Sequence, residues 1–283
     1  MTRCLFLRAG LAGLALGALT LPAIAADRVV VVGGALAEIV HALGHADRLV
    51  GRDTTATHPA AIAALPDVGY MRALSPEGLL RLEPDLILAD AGAGPPQTIE
   101  LMERAEVPFV QVDQAYTEDG VLGRIDAVAE VFDDAEGGAA LAADVEARFA
   151  DLAAARDRID APIRAMFILS AEGGRIMASG TDTAASGILA LAGLENAVTG
   201  FEGYQLLTDE AVAAAAPEAI VMMDRDGDHA MSDDQIAAHP ALGITPAGQA
   251  GRVVRMDGMF LLGFGPRTPD AARALMDALY GGA

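Results

Sequence analysis

The chain has 283 residues, a formal net charge of −21 and no tryptophan, and all 19 of its basic residues are arginine. So acidic a surface excludes nucleic acid and anionic membrane as partners, and its plain reading is solubility. A single cysteine, Cys4, excludes a disulfide framework.

The first predicted element is a leader. MTRCLFLR gives a basic start, AGLAGLALGALTL an apolar run too short to span a bilayer stably, and PAIAAD a small-residue processing site at Ala23 and Ala25. The layout predicts a signal peptide over residues 1–25, cleaved after Ala25, which removes Cys4. Losing Arg3 and Arg8 leaves 17 arginines against 40 acidic residues, a charge of −23. The mature chain reads as a soluble exported protein of about 258 residues, enough for one large domain or two ordinary ones.

An internal repeat favours two. LSPEGLLRLEPDLILAD, residues 74–90, and LTDEAVAAAAPEAIVMM, residues 207–223, align at an offset of 133. Leu74 meets Leu207, Ser75 meets Thr208, Glu77 meets Glu210, Pro84 meets Pro217 and Ile87 meets Ile220. Each copy reads as a capped short helix, a proline that stops it and a buried strand. A second echo pairs IVHALGHADRLVG, from Ile39, with ILALAGLENAVTG, from Ile188, as a helix that leads past glycine into a strand. The predicted fold is α/β: two Rossmann-like lobes with parallel sheets, residues 26–116 and 161–283.

Residues 117–160 between them carry no strand pattern. Val121, Leu122, Ile125, Val128 and Phe132 follow a helical period, as do Leu141, Val145, Phe149 and Leu152 beyond Gly137 and Gly138. The second stretch, Asp134 to Ile159, is long enough for a helix of about 39 Å. The sequence therefore predicts a long backbone helix joining the lobes, with a ligand cleft between them and only small lobe motions.

Such an architecture suits a binding protein, and the motifs agree: GxSxG, HExxH and a P-loop are absent. An exported enzyme working in the cleft is the rival of another class, with Asp53, His58 and Glu172 as its scattered candidates. DRDGDHAMSDDQ, from Asp224, begins like a calcium loop, but His229 stands where glycine is needed and Gln235 where glutamate is needed. It reads as a solvated acidic loop. Of the histidines, His41, His45, His58, His229 and His239, only His41 and His45 share helical spacing, beside core-like Ile39, Val40 and Leu43.

VGYMRALSPEG, residues 68–78, places Tyr70 on a loop after a glycine, with Arg72 two residues on. The tyrosine could line the cleft or support a turn. It could equally offer a hard phenolate oxygen to ferric haem. A free phenol, with a pKa of about 10, is protonated at neutral pH, so ligation needs the metal or a nearby cation to favour the anion. In an extended loop residues 70 and 72 point to one side, so Arg72 could stabilise the phenolate or reach a haem propionate. A plain surface charge is the alternative for Arg72.

GRDTTATHPAAIAALPDVGYMRALSPEGLLRLEPDLILAD, residues 51–90, resembles the haem-binding periplasmic component of haemin ABC importers, in the helix-backbone class of substrate-binding proteins. The likeness continues through IMASGTDTAASGILALAGLENAV and LLGFGPRTPDAARALMDALY. It implies that Tyr70 ligates haem iron, that Arg72 assists, and that Glu77 and Glu210, one per lobe, dock arginines of an ABC permease served by its ATPase. A second propionate contact is expected from Arg267, ahead of Arg255 and Arg175. Relatives that hold two stacked haems use a histidine early in the second lobe; MFILSAEGGRIM has none, so one haem is expected, with His229 or His239 as reserves. Met71, Met177 and Met259 read as apolar packing, and Phe201, Tyr204, Phe260 and Phe264 as aromatic wall candidates. The expectation is a monomeric periplasmic protein that carries haem as cargo, not a catalyst. A ferric siderophore or a corrinoid is the alternative cargo for the same fold.

Overall fold

A computed structural model describes residues 26–224 and 231–281, so the predicted leader, Cys4 and His229 lie outside the described residues. The first lobe runs β1 (Val29–Val32), α1 (Gly34–Ala42), β2 (Leu49–Arg52), α2 (Ala60–Ala63), α3 (Pro76–Leu80), β3 (Leu86–Asp90), α4 (Pro96–Arg104) and β4 (Phe109–Val112). Its four strands pair in parallel in the order β2-β1-β3-β4. β1, VVVV, and β3, LILAD, are buried along their whole length, as strands covered on both faces must be.

Two helices follow. α5 (Glu118–Val131) is capped by Thr117, whose side chain accepts from the Gly120 N–H. α6 (Ala135–Arg156) is capped by Asp134, which accepts from the Gly137 N–H. The backbone helix expected over residues 134–159 is therefore 22 residues, about 33 Å at helical rise. α6 packs against α5, and Gly138 lies on Ala129, where a Cβ would come within 2.4 Å of the alanine methyl.

The second lobe runs β5 (Arg164–Ser170), β6 (Met177–Ser179), α7 (Ala184–Leu191), β7 (Glu195–Asn196), β8 (Tyr204–Leu206), α8 (Asp209–Ala215), β9 (Ala219–Met223), α9 (Asp233–Ala238), α10 (Pro246–Ala250), β10 (Val253–Met256), α11 (Gly258–Leu262) and α12 (Thr268–Tyr280). Here the sheet departs from the all-parallel expectation. β10, β9 and β5 are parallel neighbours and β7 also pairs with β5, but β6 runs antiparallel to β5, and β8 antiparallel to β6. The cause is the short link over residues 171–176, which includes a 3-10 turn at Glu172–Gly174 and is far too short for a parallel crossover.

The repeat is visible in the fold. β3 and β9 sit 133 residues apart at both ends, and α3 and α8 start with the same offset. One hydrophobic core runs through both lobes and the connector, from Val29 and Leu86 through Val128 and Phe149 to Phe167 and Val221. Two further clusters lie outside it, one around Ile87 and Leu79 in the first lobe and one around Ile168 and Ile220 in the second.

Candidate functional site

Tyr70 stands on a tight turn. Gly69 has φ of +99°, and the Tyr70 carbonyl accepts from the Ala73 N–H at 2.8 Å. The expected meeting of residues 70 and 72 occurs, but through this turn and not through an extended segment. Arg72 Nη1 donates to the Tyr70 hydroxyl oxygen at 3.1 Å. Tyr70 is 44% exposed, unusual for a large aromatic side chain, and Arg72 is exposed beside it. The turn is pinned from below: Met71 accepts from the Gly94 N–H, and the Leu74 N–H donates to the Gly94 carbonyl.

From the second lobe, Tyr204 faces the same region. Its half-buried ring meets Phe167 edge-on, with centroids 6.4 Å apart. Burial holds its hydroxyl above the ordinary phenol range; Thr183, the Ala185 backbone and the Arg72 charge pull the other way, and Tyr116 adds to the rise. Arg72 thus lies within electrostatic reach of a phenol on each lobe. Thr183 is fixed in turn: it exchanges hydrogen bonds with Ser186 across the start of α7 and meets Ser179 at 2.6 Å.

The floor is the segment from α11 to the start of α12. Met259 packs on Gly34, where a Cβ would lie 2.6 Å from the methionine methyl. Phe264 is buried, at φ +52°, edge-on to Tyr116 at 5.3 Å. Arg267 donates through Nε at 2.8 Å and through Nη2 at 2.5 Å to the two oxygens of Glu38 on α1, and stacks over Phe260 at 5.1 Å. That hydrogen-bonded carboxylate holds Arg267 in its charged form.

Glu77 and Glu210 are exposed in the first turns of α3 and α8. Ser75 and Thr208 cap these helices by accepting from the Gly78 and Ala211 N–H groups. At Glu210, backbone hydrogen bonding and the Thr208 hydroxyl draw the carboxyl below its usual range.

The remaining candidates are engaged elsewhere or exposed. Arg255 bonds the Met231 carbonyl and pairs with Asp233, and Arg175 is exposed on the loop between β5 and β6. Both ring nitrogens of His239 are occupied, Nε2 by the Gly174 carbonyl and Nδ1 by the Ala241 and Leu242 N–H groups. Asp53 is buried and accepts from Gly33, from the Thr55 N–H and from the Thr55 hydroxyl, while His58 and Glu172 are exposed on different lobes. Phe201 packs against Gly180. Among the described residues no group of three or more His, Cys, Asp or Glu could hold a bare metal ion, and no helix is long and apolar enough to cross a membrane.

Sequence reasoning gave Tyr204 only as an aromatic wall and missed Thr183, Asp90 and Arg124 altogether. A signal for Tyr204 was present: Gly69-Tyr70 and Gly203-Tyr204 both precede a capped helix, and both glycines have positive φ. The second pair lies one residue out of the repeat's register, which hid it.

Two α/β lobes joined by a helical backbone, with the Tyr70–Arg72 pair exposed on one and Tyr204 of the other within reach of the Arg72 charge, have the build of a solute-binding protein. Residues 29–259 match the family model described as periplasmic binding protein, and the chain belongs to that family. Membership places its work outside the cytoplasm. Among solved structures it is similar to the periplasmic heme-binding protein BhuT in complex with two hemes, at 42% identity and TM-score 0.85, over 89% of this chain and 97% of that one. It is also similar to the periplasmic heme-binding protein RhuT from Roseiflexus sp. RS-1, at 34% identity and TM-score 0.86, over 90% and 98%. Of curated relatives, an ABC transporter substrate-binding lipoprotein, YvrC of Bacillus subtilis, is 28% identical over 66% of this chain, and a vitamin B12-binding protein of Yersinia pestis is 30% identical over 40%. The chain spans 60% and 40% of those relatives' lengths.

Proposed function

We propose that the mature chain, released by cleavage after Ala25, captures ferric haem between its lobes and hands it to an inner-membrane ABC permease driven by its ATPase. The observation that carries this reading is the Tyr70–Arg72 pair, with the guanidinium donating to the phenol oxygen at 3.1 Å. A phenolate is a hard donor suited to ferric iron, and the Arg72 guanidinium stands at hydrogen-bond distance from the oxygen that would make that bond. Tyr70 is the iron ligand in this account, and Arg72 stabilises it or takes a propionate. Tyr204, Tyr116 and Phe260 supply apolar wall, which provides most of the affinity for a large flat ligand, while the iron bond fixes its orientation.

Arg267 keeps a place in the account. Glu38 takes its Nε and Nη2, which leaves Nη1 for the second propionate. Glu77 and Glu210 present the loaded monomer to the permease from two exposed helix starts. The likeness to two haem-binding proteins above 30% identity over nearly the whole length supports haem as cargo. The B12-binding relative favours a corrinoid as the second reading.

Parallel absorption titrations with haemin and with cyanocobalamin test the choice. Saturation by haemin near one equivalent, with no response to cobalamin, is the expected result; tight cobalamin binding with only loose association of haemin would replace the cargo and keep the fold's role.

A further inference from the structure

A buried charged cluster lies where the lobes meet, apart from the haem-facing residues. Arg124 on α5 is only 1% exposed, and its Nη2 donates to Asp90 at the end of β3. Its Nη1 donates to the Gly263 and Phe264 carbonyls at 3.4 and 3.3 Å. One guanidinium thus joins the first sheet, the connector and the second lobe. Its Nε is buried without a partner. Asp90 occupies space that exists only because residue 33 is glycine: a Cβ there would lie 2.1 Å from its carboxylate oxygen. On the other side of Gly33, Asp53 takes the Gly33 N–H at 2.9 Å.

The segment Arg124 grips is the floor strap, residues 263–267. It touches the first lobe again at Ala35, where a Cβ on Gly265 would come within 3.0 Å, and at Glu38 through Arg267. Phe264, whose own carbonyl is one of the two gripped, carries the Tyr116 ring edge-on and packs on Gly187 of α7. Arg124 therefore sits behind the strap and fixes where the aromatic floor stands relative to β3 and α1.

We propose that Arg124, anchored by Asp90, is a positioning residue that pins the floor strap to the first lobe and so sets the inter-lobe geometry in which cargo is held. The pin is a property of the fold and stands whichever chelate fills the cleft; its effect on haem retention rests on the haem reading. The guanidinium is suited to the task because its rigid fork serves a carboxylate and two carbonyls at once, which a lysine ammonium on a flexible stem does not.

The anchor is sensitive to acid. The charged groups facing Asp90 are Arg124 from α5 and Asp53 from the turn after β2. Burial raises its carboxyl to about 6, Arg124 opposes that, and Asp53 adds to it. A neutral carboxyl holds a guanidinium by a bond roughly half as strong as the charge-assisted one. The strap is then held less firmly below about 6.

The test reads lobe geometry directly. Spin labels on cysteines introduced at the exposed positions Glu103 and Ala214, one per lobe, give an inter-lobe distance distribution by pulsed electron resonance. The labelled apo protein is expected to show one narrow distance at pH 7.5 that broadens on acidification with a midpoint near 6. Arg124→Met and Asp90→Asn should be broad at both pH values, and Arg124→Lys intermediate. Haem release at pH 7.5 should be about tenfold faster in Arg124→Met, the scale of one lost charge-assisted hydrogen bond. Narrow, pH-independent distances in the folded variants, with unchanged release, would overturn the pin. Should the variants fail to fold, the acid series on the otherwise native chain decides: a distribution unchanged between pH 7.5 and 5 rejects the proposal. If haem does not bind at all, the distances still report on the pin alone.

Discussion

Tyr70 is exposed, and among the described residues its hydroxyl is bonded by Arg72 alone, so replacing it should remove binding without removing the fold. Tyr70→Ala is expected to weaken haem binding by about 100-fold or more, and to shift stability by no more than about 0.5 kcal/mol in urea unfolding. Arg72→Ala should weaken binding by about tenfold, the scale of one hydrogen bond to a charged group. Asp90 gives a pH signature. Its folded carboxyl titrates near 6 against an ordinary 3.8, so the folded chain holds a proton that the unfolded chain gives up between those values. Its contribution is full below the ordinary value and is lost as pH rises through about 6. The urea midpoint of Asp90→Asn should therefore rise relative to wild type between pH 4.5 and 7.5; movement the other way would show that the Arg124 pair outweighs burial. An ionised Asp90 thus costs stability while it anchors the strap, a division seen in other buried ion pairs. Tyr70 and Arg72 were legible because tyrosine is scarce and the pair is local. Arg124 and Asp90 were not, since their partners lie 34 and 140 residues apart along the chain and nothing local marks them.

At the level of elements, the caps carry the clearest consequences. Asp134 holds the start of α6 through the Gly137 N–H and meets His45 at 3.0 Å, and the backbone bond draws its carboxyl below the usual range. Asp134→Ala is expected to lower the midpoint of thermal unfolding, with haem affinity unchanged. If Glu77 and Glu210, exposed at the starts of α3 and α8, dock the permease as proposed, the double change Glu77→Ala and Glu210→Ala should leave the haem titration intact and abolish uptake in membrane vesicles carrying the permease. Retained uptake would remove the docking role. Capped helix, proline and strand are local features, which is why β3, β9, α3 and α8 could be read from the repeat. The β5–β6 pairing could not, for β6 is three residues long and its antiparallel course follows from the short link at Glu172–Gly174, not from any hydrophobic period. The backbone helix kept its cap but ends at Arg156, short of the expected Ile159, which packs on Gly193 beyond it; its periodic residues stop at Leu152, inside the helix.

In the whole molecule, a continuous core through both lobes and a strap bonded to the connector at Arg124 and meeting the first lobe at Ala35 and Glu38 suit a stiff frame. Loading should change the radius of gyration by less than about 1 Å in small-angle scattering, in contrast to hinge-closing binding proteins. If that change is as small as expected, the ligand atoms are preorganised and little affinity is spent on closing the lobes. The central claim is that this frame holds ferric haem through Tyr70, and the most direct measurement is the absorption and low-temperature electron resonance spectrum of the haem-loaded chain beside that of Tyr70→Phe. The account expects a ferric phenolate charge-transfer band in the wild-type chain at one haem per chain, absent in the variant, which keeps the ring and loses only the oxygen. Equal spectra and equal affinities in the two proteins would contradict it.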